Sequence, residues 1–174
     1  MPAVERSTIT HSPEETTELG REVASRLTAP VLVLLSGDLG SGKTTLTKGI
    51  VSGLGAAREE DVTSPTLTLV HVFQNKSPNQ TGEQAERQAA SQPKIYHVDL
   101  YRIEDFHGLE SLALEDALAD PAIVIIEWSE RFSLRSDWPR IRIHLEHIDG
   151  DFRRITITDA VTPADAIASS PGTV

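Results

Sequence analysis

GDLGSGKT, Gly37 to Thr44, decides how the rest of this chain is read. Ahead of it lies the apolar, β-branched run VLVLLS (Val31 to Ser36), and behind it TLTKGIVSGL continues as a helix until Gly55 stops it. Strand, glycine loop and helix in that order are the context a phosphate-binding loop requires. A diphosphate or triphosphate packs several negative charges into a small volume, and converging backbone N–H groups hold it without side chains in the way. Gly37, Gly40 and Gly42 supply positive φ angles and close main-chain approach, while the helix start adds free N–H groups and a dipole favouring anions. Lys43 is expected to reach the β and γ phosphates, and Thr44 to offer its hydroxyl to magnesium, a hard cation that takes few protein oxygens. The expected nucleotide-binding residues are thus Gly37, Asp38, Leu39, Gly40, Ser41, Gly42, Lys43, Thr44 and Thr45, joined by Ser64 and Thr66 from a later turn.

Composition narrows the class. A chain of 174 residues suits one domain that buries roughly 70% of its unfolded surface. It has no cysteine, which excludes disulfides and thiolate metal sites. The start, MPAVERSTITHSPEE, reads as neither a signal nor a transit peptide, and no apolar run is long enough to span a membrane, so a cytoplasmic protein without membrane contact is expected. Sixteen Lys and Arg against twenty-six Asp and Glu give a net charge of −10. With no basic run present, dominant direct binding to nucleic acid is not expected. The sequon Asn79, Gln80, Thr81 is read as a chance match.

In chain order, Ser7 to Thr10 predicts a short strand. Ser12, Pro13, Glu14 and Glu15 form a capping box with proline at the first helical position, and a helix follows to about Leu27, with Leu19, Val23 and Leu27 facing the core. Thr16 and Thr17 are read as solvated, with nucleotide contact as the alternative. Thr63 to Thr66 is a hydroxyl-rich turn, and Ser64, Pro65, Thr66 fit either a loop sensing magnesium and the γ phosphate or an ordinary turn. Leu67 to Phe73 and Ile95 to Tyr101 predict strands. Between them Gln74 to Lys94 has alanine as its only apolar side chain, and such a segment is expected to be a flexible insertion at a hairpin tip. Gly108 to Ala119 predicts a helix, and Ala122 to Ile126 an apolar strand running into Glu127. An apolar run ending in an acid is how a magnesium-associated carboxylate appears in phosphate-loop hydrolases; Asp99, near the end of IYHVDLY, is the second candidate. Ser129 to Asp137 is a short helix or loop bearing Arg131 and Arg135. Arg140 to Ile148 and Arg153 to Ala160 alternate with period two and form a hairpin through Asp149 and Gly150. It places His144 and His147 on opposite faces, where they make poor metal partners. Residues 1–160 are expected to form one domain, with 161–174 a frayed tail.

These elements predict an α/β fold: a P-loop NTPase-like three-layer sandwich with a mainly parallel sheet extended by a C-terminal antiparallel hairpin. Ligands bind at the carboxyl ends of parallel strands, which puts the glycine loop, Asp99 and Glu127 on one rim. The nearest approach to a guanine signature, Asn75, Lys76, Ser77, Pro78, lacks the acid, so guanine specificity is discounted. A small-molecule kinase with Arg131 and Arg135 in a lid is the enzyme alternative. A nucleotide-regulated binding module is the third class.

GDLGSGKTTL, SPTLTLVHVF, YHVDLYRIED and IIEWSERF, in that order, resemble the TsaE (YjeE) ATPases required for threonylcarbamoyladenosine modification of tRNA. The resemblance covers Ser12 to Phe152. It implies ATP with Mg2+, a cytoplasmic location, and action through a complex with TsaD and TsaB homologues that perform the carbamoyl transfer, so that tRNA is met only indirectly. By motif it makes Gly40 to Thr44 phosphate binders, Thr44 and Glu127 magnesium ligands, and Asp99 an essential acid near the γ phosphate. Lys43, Asp99 and Glu127 are the expected catalytic residues. The insertion at Gln74 to Lys94 departs from the family pattern, which has a short turn there.

Overall fold

VLVLLS is apolar on both faces of the strand, so it is stable only in the middle of a sheet covered on both sides. In the computed structural model, which describes residues 4–74, 92–105, 108, 114–134 and 136–159, that strand is β2 (Val31–Ser36). Parallel neighbours flank it, β5 (Ile123–Glu127) on one side and β6 (Arg140–Asp149) on the other. β4 (Ile95–Asp99) lies parallel to β5, and β3 (Val70–Phe73) closes that edge antiparallel to β4. Toward the other edge, β7 (Phe152–Thr158) returns antiparallel to β6, and β1 (Glu5–Thr10) pairs antiparallel with β7. The order is β1-β7-β6-β2-β5-β4-β3 in one seven-stranded sheet. The α/β architecture and the C-terminal hairpin are as the sequence predicts. Half the junctions are antiparallel, because β1 and β3 each add one at an edge.

On one face, α1 (Pro13–Ala24) and α2 (Lys43–Gly53) cover the sheet. Val23, Ala24, Leu46, Ile50 and Val51 pack there against Val33, Leu35, Ile125, Ile143, Leu145 and Ile155. The other face is covered by irregular chain: Leu100 and Ile103 after β4, a short helix α3 (Leu114–Ala117), and Trp128, Phe132, Leu134 and Trp138 after β5 pack on Leu32, Val98, Val124 and Ile126. The two helices meet backbone to backbone. A Cβ on Gly49 would sit 1.9 Å from the Thr17 carbonyl oxygen, and one on Gly20 2.4 Å from that of Leu46. This contact fixes α2, and with it the loop at its start, against the rest of the molecule.

Several boundaries differ from expectation for identifiable reasons. The α1 cap is as predicted, with Glu15 N–H donating to Ser12 Oγ at 3.1 Å, but the helix ends at Ala24 and closes with tight turns from Arg26 to Val23 and from Leu27 to Ala24. Thr16 and Thr17 are buried, not solvated. The stripe facing α2 takes small residues, and their hydroxyls are satisfied locally, Thr16 by Thr10 at 2.7 Å and Thr17 by the Pro13 carbonyl at 2.9 Å. β3 starts at Val70 rather than Leu67 because the Leu69 N–H folds back to Pro65 O and Leu69 takes a left-handed φ of 65°, leaving Leu67 exposed. β4 ends at Asp99, whose carboxylate accepts the Tyr101 N–H at 2.8 Å and turns the chain. β1 begins at Glu5, two residues before the expected Ser7.

The strands joined by the predicted insertion are antiparallel neighbours, Phe73 opposite Ile95; residues 75–91 lie outside the described residues. So do Arg135, the tail at 161–174 and residues 109–113 of the helix expected at Gly108 to Ala119. Among the described residues no helix is long and apolar enough to cross a membrane.

Candidate functional site

Strands β2, β5 and β4 run parallel and deliver their carboxyl ends to one rim, where Glu127 is the last residue of β5 and Asp99, its register partner, the last of β4. The glycine loop leaves β2 beside them. Gly37, Gly40 and Gly42 have φ of 133°, 77° and 100°. Space also demands glycine at position 37, where a Cβ would lie 2.1 Å from the Leu145 carbonyl oxygen; at Gly40 nothing lies within 4 Å, so the requirement is the backbone angle alone. Gly42 starts α2 in a left-handed conformation, with no side chain capping the helix N-terminus. Free N–H groups there suit an anion.

Lys43 is buried, and its ammonium donates to the carbonyls of Gly37 at 2.6 Å and Asp38 at 2.8 Å while lying 3.8 Å from the centre of the Trp128 ring. Burial holds its pKa below the ordinary value; the charges of Glu127, Glu130, Asp99 and Asp38 oppose that shift. Thr44 Oγ1 donates to Glu127 Oε2 at 3.0 Å. The other Glu127 oxygen, Oε1, lies 2.8 Å from His97 Nε2 and 3.4 Å from Thr47 Oγ1. Asp99 is likewise engaged at both oxygens: Ser64 donates to Oδ2 at 2.5 Å and the Tyr101 N–H to Oδ1 at 2.8 Å. The Ser64 to Thr66 turn is therefore latched to the acid at the end of β4.

One cleft of about 420 Å³ is lined by Leu39, Gly40, Gly42, Lys43, Thr44 and Thr45 from the loop and helix, by Ser64 and Thr66 from the turn, and by Asp99 and Glu127. These ten sequence-predicted residues are brought together. Gly37, Asp38 and Ser41 stand behind the cleft: the first two hold Lys43 through their carbonyls, Ser41 is fully buried, and the Gly37 N–H donates to Glu130 at 3.3 Å. Arg131 is not among the residues lining the cleft and donates to the Tyr101 carbonyl. His144 and His147 have separate partners, Ser36 Oγ and the Gly150 carbonyl.

Sequence reading missed four participants. Trp128 stacks under Lys43, with its own φ left-handed at 61° and Tyr101 4.9 Å away. Arg153 reaches from β7 to the Gly40 carbonyl at 3.2 Å. His97 and Thr47 hold Glu127 from beneath. For Thr47 a signal existed: it lies one helical turn after Lys43, on the face that must point at the sheet. Arg153 gave none, because only the hairpin's return to β6 brings it to the loop.

Magnesium would find hard oxygen donors here. The Thr44 hydroxyl and the Glu127 carboxylate already face each other, with a second buried carboxylate on the neighbouring strand, and hydroxyl and carboxylate oxygens are the donor set this cation takes. The residues present fit it.

Fold and site together define an α/β protein with a glycine loop at the carboxyl end of its central parallel strand. The family model described as "Threonylcarbamoyl adenosine biosynthesis protein TsaE" matches residues 10–155, and this chain belongs to the TsaE family. Among its relatives, the tRNA threonylcarbamoyladenosine biosynthesis protein TsaE of Streptomyces coelicolor is 35% identical over 146 residues, covering 81% of this chain and 88% of the relative. That of Rickettsia bellii is 33% identical over 159 residues, covering 91% and 99%. The crystal structure of Bacillus subtilis YdiB superimposes with a TM-score of 0.64 over 97% of this chain and 94% of that one, at 24% identity, which bears on the fold alone.

Proposed function

We propose that this chain is a magnesium-dependent ATPase that serves threonylcarbamoyladenosine formation at position 37 of tRNA, working within a complex of TsaD and TsaB homologues and meeting tRNA only through it. The observation that carries the reading is the convergence, in one cleft, of the glycine loop, Lys43, the Thr44 and Glu127 pair, and Asp99. The loop N–H groups and Lys43 bind the phosphates of ATP. Thr44 and Glu127 hold magnesium, which when bound neutralises charge on the phosphate oxygens. Asp99 orients water toward the γ phosphorus; that water adds, the bond to ADP breaks, and inorganic phosphate leaves. Lys43 must exchange the Gly37 and Asp38 carbonyls for phosphate oxygens, so binding rearranges contacts already present.

The family membership supports the pathway, and the absence of a basic run supports an indirect route to tRNA. A reconstituted reaction with TsaD and TsaB homologues, unmodified tRNA, an activated threonylcarbamoyl donor and ATP tests it. Modified adenosine should accumulate with the wild-type chain and fall to background when the chain is omitted or carries Lys43→Met. Equal product without the chain contradicts the proposal. The small-molecule kinase is the second reading; its lid would use Arg131, which here donates to the Tyr101 carbonyl.

A further inference from the structure

We infer that His97 is a positioning residue for the metal-binding carboxylate: its Nε2–H holds Glu127 Oε1 so that Oε2 faces Thr44 and the cation. The inference rests on the proposed function and goes beyond it, since His97, although it stands within YHVDLYRIED, is given no role above.

Glu127 and His97 are both almost wholly buried, at 2% and 0% exposure. A carboxylate with one free torsion in such a place would orient poorly toward a metal unless its second oxygen were tied. Here one oxygen, Oε2, takes the Thr44 hydroxyl at 3.0 Å, and the other lies 2.8 Å from His97 Nε2. The ring nitrogen on the far side, Nδ1, is buried and has no hydrogen-bond partner. That asymmetry fixes the tautomer. A neutral imidazole carries one N–H; on Nδ1 it would be a buried donor without an acceptor and Nε2 would face the carboxylate lone pair to lone pair. On Nε2 it satisfies Glu127 and leaves only an unused acceptor, the smaller cost. His71, the register partner of His97 on β3, stands with its ring 6.4 Å away, edge to face, and closes the outer side of the imidazole. Burial holds the His71 pKa below the usual histidine value. The three side chains lie on adjacent strands β5, β4 and β3 on the face covered by α1 and α2. The metal-facing acid is thus braced from the sheet's edge. Outer groups that orient a ligand in this way affect metal affinity by about 10–100-fold.

Two variants and one spectrum test this. His97→Leu removes the donor, while His97→Gln places an amide N–H at nearly the reach of Nε2. Titrating ATP calorimetrically at graded magnesium should show the Leu variant requiring roughly tenfold more magnesium, its magnesium-free affinity unchanged, and the Gln variant recovering most of the loss. Long-range proton–nitrogen NMR on histidine-labelled wild type should show His97 as the Nε2–H tautomer, a readout that stands if the Leu variant does not fold. Three results overturn the inference: an Nδ1–H tautomer, an unaltered magnesium requirement in the Leu variant, or equal losses with and without magnesium. Wild-type protein that binds ATP with no magnesium dependence would instead overturn the functional reading, and this inference with it.

Discussion

Lys43 does two jobs that pull against each other. Its ammonium is buried, and burial lowers its pKa from 10.5, so at neutral pH the folded chain carries a desolvation cost that the unfolded chain does not. Removing the charge should therefore spare the fold while it disables the site. We expect Lys43→Met to weaken ATP binding by 100-fold or more, on the order of 3 kcal/mol, and to shift the melting temperature by less than about 4 °C. Unchanged affinity by calorimetry would remove Lys43 from the phosphate site. The sign of the pH effect follows from the same shift. Between the lowered pKa and 10.5 the unfolded state holds more protons, so wild type gains stability relative to Lys43→Met as pH rises through that window. Glu127→Gln keeps the shape of the side chain and loses the charge opposite Thr44. It should retain nucleotide without magnesium and lose at least tenfold in turnover; hydrolysis at the wild-type rate would exclude Glu127 from metal binding. These residues were legible in sequence because a phosphate loop and a strand-end acid occupy fixed positions relative to a strand. His97 was not, since one histidine inside an apolar strand reads as core until the neighbouring strand shows what it touches.

α1 and α2 position the loop through a contact that sequence periodicity could not reveal. Leu19, Val23 and Leu27 pack on the core as their spacing predicts, but the buried stripe of α1 also takes Thr16, Thr17, Gly20 and Ala24, because two helices this close admit little but small side chains. Gly49→Ala and Gly40→Ala separate the two reasons a glycine is needed. At Gly49 a Cβ would collide with backbone, so we expect a loss of about 3 kcal/mol. At Gly40 there is room and only the left-handed angle resists, so the cost should be nearer 1 kcal/mol. Chemical denaturation measures both; equal costs would contradict the packing account. The turn after Thr63 misled for a related reason. LTLVHVF, Leu67 to Phe73, alternates as a strand does, but Pro65 and the fold-back from Leu69 to it take the first three residues out of the ladder. That displaced turn is what brings Ser64 to Asp99.

Among the described residues, the glycine loop, Lys43, Thr44, Asp99 and Glu127 share one cleft, and two layers of apolar core lie on either side of the sheet. The α/β class and the hairpin could be read from alternating apolar runs. So could the antiparallel β3–β4 edge, from the hairpin expected around the insertion; the β1 edge could not, because β1 is short and polar and nothing in its sequence names β7 as its partner. Gln74 to Lys94, with alanine as the only apolar side chain type, is not expected on composition to add to those cores. Replacing it by a short glycine-containing turn should leave the melting temperature within about 4 °C of wild type, and a larger fall would show that the segment packs. The account's central claim is that ATP is hydrolysed here to reset a complex rather than to phosphorylate a metabolite. The most direct measurement follows γ-labelled ATP with the isolated chain and with TsaD and TsaB homologues added. The label should appear as inorganic phosphate in both cases, slowly alone and at least several-fold faster with the partners. Label transferred to a small molecule by the isolated chain, at a rate indifferent to the partners, would contradict the account.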